Sequence, residues 1–352
     1  MDVLSDVIRV VRLSGAVFFT AEFSSPWALE SPNSALLADI VMPDAECVVL
    51  FHILTEGACI VECEGCPPAR MDANDVIVFP HGEPHTMRSD ERAEPTRMDA
   101  VFPRVSEGAL PRVTFGGGGR TSQFICGYLN CDQRFAPLLS TLPTMLLVRS
   151  RDGATTLEAT DRGGRRPTSR PVGSATWLGT TLKYTMHEAR AGRPGNAAML
   201  GRLTELMFVE ILREYMQQMT DDRGGWLAGL KDPYVGKALR LMHAHPMRSW
   251  TVDGLAREAA LSRSALAQRF TDLVGEAPMR YLANWRMQLA KEMLREGVQS
   301  IQEIAARVGY ESEPAFNRAF KRATGFPPAL WRRGVTSASQ AASGIGPMRG
   351  AI

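Results

Sequence analysis

The chain repeats itself near its C-terminus at a period of about fifty residues, and a repeat of that length has to fold as two copies of one small unit. LAREAALSRSALAQRFTDLVGEAP (Leu255 to Pro278) aligns with IAARVGYESEPAFNRAFKRATGFPP (Ile304 to Pro328) once an extra residue is allowed in the second turn. Leu255 then matches Ile304, Ala256 matches Ala305, Leu266 matches Phe316, Phe270 matches Phe320, Gly275 matches Gly325 and Pro278 matches Pro328. Each copy reads as a short helix, a tight turn and a second helix opened by a serine N-cap, Ser262 or Ser312, with Pro314 in the first turn of the later one. Ser300 to Glu303 has the pattern of a capping box at the head of the second copy, and Gly309 ends that leading helix. Both copies are predicted as helix-turn-helix units.

Between them, Met279 to Glu296 places Leu282, Trp285, Leu289 and Met293 on one stripe, which predicts a spacer helix of about 26 Å at a rise of about 1.5 Å per residue. Successive major grooves on one face of B-DNA lie about 34 Å apart, so such a spacer suits a single chain that reads two grooves. Charge agrees. From Lys231 to Gly334 there are 17 Lys and Arg against 10 Asp and Glu, while residues 1 to 230 carry 22 against 28. A basic C-terminal third on an acidic body is the footprint of a nucleic-acid-binding module, although a solvated charged face has the same composition.

The stretch GYESEPAFNRAFKRATGFPPALWR (Gly309 to Arg332) matches the signature of one family nearly end to end, and Trp250 to Arg333 as a whole resembles the DNA-binding domain of AraC/XylS-family transcription regulators. The resemblance implies that Arg263, Ser264, Ala267 and Gln268 of the first unit, and Glu313, Asn317 and Arg318 of the second, face the groove. Gln268 has the amide to hold an adenine edge in two bonds, and Arg318 the fork for guanine. Arg269, Lys321 and Arg322 are cast as phosphate contacts, which position a protein and carry little sequence information. Ser264 and Ala267 are small where many family members are larger, which leaves base contact in the first unit resting on Gln268.

Upstream the texture changes. From Ala16 to about Tyr128, runs such as VFFTAEF, CVVLFHIL, ACIVEC and VIVFP alternate with Gly, Pro, Asn and Asp, the pattern of an all-β sandwich or barrel. NDVIVFPHGEPH (Asn74 to His85) resembles the second conserved motif of the cupin barrel: Pro80, Gly82 and His85 match, and Asn74 replaces the first glycine, a residue type that also adopts positive φ. In metal-binding cupins the other ligands lie upstream of the glycine that corresponds to Gly57. Counting back puts the glutamate position at Leu50 and the histidine positions at Pro43 to Glu46, so the metal ligand set is missing and a metal-dependent cupin enzyme is the weaker alternative. No cofactor is expected. His52, on the adjacent predicted strand, pairs with His85 as the candidate lining of an effector pocket, and His81 is assigned to the surface.

Six cysteines fall in the first half. Cys63-Glu-Gly-Cys66 reads as a two-residue hairpin turn whose cysteines face each other at about 5.5 Å between Cα atoms, with Cys59 on the same strand face as Cys63. A redox or soft-metal switch at Cys59, Cys63 and Cys66 is one reading, and inert buried thiols the other.

The expected fold is α+β: a cupin-like β-barrel with flanking helices, then an all-α domain of two helix-turn-helix units joined by a linker helix. Residues 1–148 form the sensor domain, beginning with an amphipathic helix at Leu4, Val7, Ile8 and Val11. Residues 149–173 are a flexible loop with no assigned structure. Residues 174–229 are a helical packing or dimerisation segment in which Leu203, Leu206 and Met207 either meet a second copy or pack on the barrel. Residues 230–334 bind DNA, and 335–352 are a disordered tail. Asp2 and Asp6 occupy the place of a basic leader and no apolar run approaches membrane-spanning length, so a cytoplasmic protein without a membrane partner is expected. The implied partners are promoter DNA, a small effector, a second copy of the chain and, for an activator, RNA polymerase.

Overall fold

The computed structural model describes residues 2–11, 14–33, 47–101, 112–131, 136–151, 154–163, 170–173, 175–191, 193–219 and 224–334. It divides into two compact units: Val11–Arg223, and a second made of Met1–Val10 with Gly224–Ile352.

The first unit is a two-sheet barrel. Strands β1 (Ser14–Ser24), β2 (Ala28–Ser31), β3 (Cys47–Glu56), β4 (Ala58–Cys63), β5 (Ala69–Asp72), β6 (Val76–Phe79), β7 (His85–Arg88), β8 (Thr96–Arg97), β9 (Arg112–Gly116), β10 (Thr121–Cys131), β11 (Met145–Arg151), β12 (Ala154–Thr160) and β13 (Arg170–Pro171) build it. One sheet runs β13-β12-β11-β6-β3-β10-β1-β9 and the other β5-β4-β7-β2-β8. Strand alternation decides the core: Cys59, Val61 and Cys63 of β4 point inward while the residues between them do not. They join Phe23, Trp27, Leu50, Leu54, Phe79, Met87 and Phe124 between the sheets. Asn74 has φ 75°, the left-handed backbone expected where it replaces the motif's glycine.

The large sheet's outer face is covered by two helices, α4 (Ala175–Ala191) and α5 (Asn196–Gln218); the short helices Met98–Val101 (α2) and Ala136–Leu139 (α3) lie between strands in sequence. On α5, Leu200, Thr204, Met207, Phe208, Ile211, Leu212 and Tyr215 are buried. Met207 is therefore turned to the barrel, and of the three residues expected to face either way Leu206 alone is well exposed, at 55 %.

Arg149 to Gly173, expected as a structureless loop, instead carries the end of β11, all of β12 and β13, with residues 152–153 and 164–169 outside the described set. β11 and β12 pair antiparallel from Met145↔Thr160 to Arg151↔Ala154. Arg149, Arg151, Glu158 and Arg162, which looked like linker charges, are each paired. Arg149 donates to Glu158 at 2.7 Å and to the fully buried Asp75 at 3.2 Å. Thr155 and Leu157 are buried, and Thr155 lies on the outer face beneath Gly179 of α4.

The second unit is helical: α6 (Trp226–Lys231), α7 (Val235–Ala244), α8 (Val252–Glu258), α9 (Arg263–Val274), α10 (Pro278–Glu296), α11 (Ile301–Arg307) and α12 (Glu313–Thr324). α10 buries Tyr281, Leu282 and Trp285 in its first half and Met287, Ala290 and Leu294 in its second. The stripe predicted through Leu289 and Met293 is offset, because those two are only half-buried and the later half packs on α11 and α12 through its neighbours. The N-terminal helix α1 (Val3–Val11) belongs to this unit and not to the barrel, as the expected boundary of 1–148 had it. Its Val3, Leu4, Asp6 and Val7 are buried, and Asp6 lies against His243 of α7.

Candidate nucleic-acid interface and the barrel centre

The two helix-turn-helix units share one turn, bond for bond. In the first, Ala259 N–H donates to Leu255 O, Ala260 to Arg257 O and Leu261 to Ala256 O; in the second, Val308 donates to Ile304 O, Gly309 to Ala306 O and Tyr310 to Ala305 O. The bond reaching five residues back is the Schellman closure, which requires a left-handed residue before it. Gly309 takes φ 79° there, and Ala260 takes φ 57° at the matching place. Gly309 has a second constraint: a Cβ on it would sit 2.7 Å from a guanidinium nitrogen of Arg286. Ser262 Oγ accepts from Ala265 N–H and Ser312 Oγ from Ala315 N–H, so the predicted N-caps open α9 and α12, and Ser300 with Glu303 makes the full capping box on α11. Leu266 and Phe270, like Phe316 and Phe320, are turned into the core, which fixes the opposite faces of α9 and α12 toward solvent.

On α9 that face carries Arg263, Ser264, Gln268 and Arg269. Arg263 sits 3.6 Å from Asp253, and Gln268 donates to Asp272 at 2.8 Å. Arg269 donates to Asp232 through Nε at 2.8 Å and through Nη2 at 2.5 Å. Burial would raise the Asp232 carboxyl, but bonds from Arg269 and from the Val235 and Tyr234 amides hold it below the usual carboxylate range. The residue cast as a phosphate contact thus also fastens α9 to the start of α7, and no local sequence pattern links Asp232 to it.

On α12, Arg318, Lys321 and Arg322 are exposed, while Glu313 and Asn317 are half-buried. The Asn317 amide oxygen is enclosed and has no hydrogen-bond partner among the described residues. The structure therefore presents Arg318, Lys321 and Arg322 openly and draws Asn317 toward the unit's interior.

The barrel holds a different arrangement. His52 of β3 and His85 of β7 are both buried, with their Nε2 atoms 2.9 Å apart. His85 Nδ1 lies 2.8 Å from the Glu83 carbonyl, which only accepts, so this nitrogen bears the proton. His85 Nε2 is then an acceptor for His52 Nε2–H, and His52 Nδ1 is left to accept from the Cys126 thiol at 2.9 Å. The hydrogen-bond roles of all three side chains follow from one carbonyl. Burial, reinforced by His85, pushes His52 well below the ordinary histidine range; burial pushes His85 down to about 4 against the raising effect of the Glu83 bond, and burial raises Cys126. Both rings are neutral at pH 7. Phe79 stacks on His85 at 3.9 Å. Cys126 was not singled out in sequence, although alternation along β10 puts it on one face with Phe124 and Tyr128.

His81, assigned to the surface, is half-buried and lies 3.1 Å from the Leu142 carbonyl. Among the described residues no group of three or more His, Cys, Asp or Glu side chains is placed to hold a metal ion; Leu50 is core, and Pro43 to Glu46 lie outside the described set.

Cys59, Cys63, Cys66 and Cys126 are free thiols. The hairpin expected at Cys63 to Cys66 differs in form: Cys66 N–H donates to Cys63 O, but β4 and β5 pair no further than Val61↔Ala69. Pro67 and Pro68 lack the N–H groups a tighter ladder needs. Cys63 is instead the register partner of His85 on the other side. The Cys63 and Cys66 thiols act on each other, and burial pushes both up, Cys63 to about 12.

A family model described as a cupin matches residues 2–162 and 168–217, and a helix-turn-helix domain model matches 255–334. An AraC-like transcription regulator of Streptomyces lividans is 32 % identical over 340 residues, 96 % of this chain and 99 % of that protein. The HTH-type transcriptional regulator AlkR of Acinetobacter baylyi is 26 % identical over 95 % of this chain and 99 % of its own. Among solved structures, the DNA-binding domain of AdpA in complex with a target DNA is 30 % identical, covers 33 % of this chain and 99 % of that one, and superposes with a TM-score of 0.29. No helix among the described residues is long and apolar enough to cross a membrane. With a cupin domain over its first two-thirds, two bond-for-bond copies of one helix-turn-helix after it, and a 32 %-identical regulator along almost its full length, the chain belongs to the AraC-like family of DNA-binding transcription regulators.

Proposed function

We propose that the barrel unit receives a small-molecule or chemical signal and that the two helix-turn-helix units answer it by holding two successive major grooves of a promoter. The observation that carries this reading is that both units leave their leading helix by the same three backbone bonds and open the next helix with a serine cap, the second turn being one residue longer. Gln268 and Arg318 read base edges, and Lys321 and Arg322 neutralise phosphates. α10, at 19 residues, spans about 28 Å and sets the distance between the two readers. A second copy docks on the exposed side of α5 through Leu206, and an activator of this build also meets RNA polymerase. The test is genome-wide mapping of bound sites followed by salt-dependent gel shifts on the strongest. Sequence-specific binding that falls steeply with salt is expected; equal affinity for mapped and scrambled sites would sink the proposal.

The mutual influence of the Cys63 and Cys66 thiols, one three residues after the other, favours a second reading, in which a peroxide takes two electrons and the two thiol protons from the pair, leaves as water, and joins them as a disulfide that alters DNA binding. Cys63→Ser that leaves the response to oxidant unchanged removes it.

A further inference from the structure

We infer that the seam between the large sheet's outer face and helices α4 and α5 is a binding site for a small, uncharged, apolar molecule, separate from the His52 and His85 pair inside the barrel. This rests on the proposal that the barrel unit is a sensor and names the class of molecule it senses. A cavity of about 30 Å³ lies there, walled by Phe51 and Val78 of the sheet and by Leu182, Met207, Phe208 and Ile211 of the helices. Its wall is almost wholly carbon, and no charged side chain of the described residues lines it. Thr204, one of the few polar lining residues, gives its hydroxyl to the Leu200 carbonyl of its own helix at 2.9 Å. An apolar space of this kind stays dry, so its lining lacks the dispersion contacts that an apolar occupant would supply.

Gly179 is the independent observation. It stands inside α4, where glycine weakens a helix relative to alanine, and no unusual backbone angle at that position calls for it. It lines the cavity, and the atoms nearest to a Cβ built on it are the hydroxyls of Ser150 at 3.3 Å and Thr155 at 3.7 Å. A Cβ there presses on the Ser150 hydroxyl, so the glycine lets α4 lie close over this wall, and a larger side chain has to be taken up by the cavity beside it.

A void of about 30 Å³ holds roughly two water-sized spheres. A molecule of six or so carbons therefore enters as α4 and α5 ease away from the sheet, with the unbranched Met207 side chain re-packing around it. The same two helices carry Trp177, Tyr184, Met199 and Leu206 exposed. Occupancy of the seam thus moves the surface offered to a second copy.

The test uses the full chain with benzene and cyclohexane as probes, and phenol as a polar control. Benzene near a hundred times its dissociation constant is expected to raise the melting temperature by about 5 °C, with phenol weaker and with the rise absent in Gly179→Leu. If Gly179→Leu does not fold, Thr204→Met fills the same space from α5 and is read in its place. No rise with either hydrocarbon, or an equal rise in the filled variant, overturns the inference. Gel shifts on the same samples keep the two proposals apart. Specific DNA binding without any hydrocarbon effect discards the seam and leaves the regulator standing, and a hydrocarbon effect without specific DNA binding does the reverse.

Discussion

The carboxylate Oδ2 of Asp6 lies 3.8 Å from Nδ1 of His243, and both atoms are enclosed without a hydrogen-bond partner among the described residues. His243 is held by Tyr281, whose hydroxyl is 2.8 Å from Nε2 and accepts from Trp226 Nε1 at 3.1 Å, and it stacks on Trp285 at 4.0 Å. The first helix of the chain thus closes the floor of the unit that carries both recognition helices.

Val7 is fully buried in that closure. Val7→Ala is expected to destabilise the helical unit by about 2 kcal/mol, and removal of residues 2–9 to lower its melting temperature by more. Denaturation followed by tryptophan fluorescence reads both, and an unchanged midpoint for Val7→Ala would show that α1 is not a structural part of this unit.

The buried histidines give the barrel an acid-sensitive stability with a fixed sign. His85 is pushed down to about 4 in the fold against 6.5 for an ordinary histidine, so between those values the unfolded chain binds the proton and the folded one does not. Its contribution is complete above about pH 6.5 and is lost as pH falls toward 4, a change on the order of 3 kcal/mol. His243, lowered to about 3 by burial, acts in the same direction in the helical unit. Urea midpoints measured at pH 7.5, 6 and 5 are expected to fall steadily, and the combined change His52→Leu with His85→Phe to flatten the barrel's share of that slope.

Gly309→Ala places a methyl within 2.7 Å of the Arg286 guanidinium and forces alanine to φ 79°, whereas Ala260→Gly relieves a left-handed alanine at φ 57°. The first is expected to destabilise by more than about 1 kcal/mol and the second to be neutral or stabilising. Chemical denaturation of the pair checks the opposite signs.

Arg318→Ala is expected to weaken specific DNA binding by about 1–3 kcal/mol and to relax preference at one position of the site, while Lys321→Ala weakens all sequences alike and reduces the salt slope by about 1. Gel shifts over a salt series on mapped and single-mismatch sites separate the two effects. Equal behaviour of the two variants would remove the division between base reading and phosphate contact.

Leu206 is exposed on α5, so Leu206→Glu leaves the fold intact. Sedimentation is expected to show a dimer for the parent chain and a monomer for the variant, with unchanged melting of the barrel. A dimer that survives the change places the contact elsewhere.

The helix-turn-helix pair was legible because its information is local: caps, a left-handed turn residue and two buried apolar side chains, Leu266 and Phe270 or Phe316 and Phe320, recur after Leu255 and after Ile304 with one extra residue in the second turn. The barrel motif was legible for the same reason, down to the positive φ of Asn74. What the sequence hid are pairings between distant strands and helices. Arg149 and Arg151 look like linker charges until β5, β6 and β12 bring Asp72, Asp75 and Glu158 to them. Helical spacing cannot say which of two apolar faces meets the sheet, so Met207 and Leu206 looked equivalent although the barrel takes the first and leaves the second. Strand order, which no single segment encodes, set Cys126 beside His52 and joined the two histidines into one chain of bonds.

The shared turn also has a consequence for the genome. On the proposed reading, two readers bearing different side chains, Gln268 on one and Arg318 on the other, make a recognition site whose two halves are not interchangeable. A single chain of this kind gives its target a left and a right, so inverting the target beside a promoter reverses the order in which α9 and α12 meet the polymerase's start point.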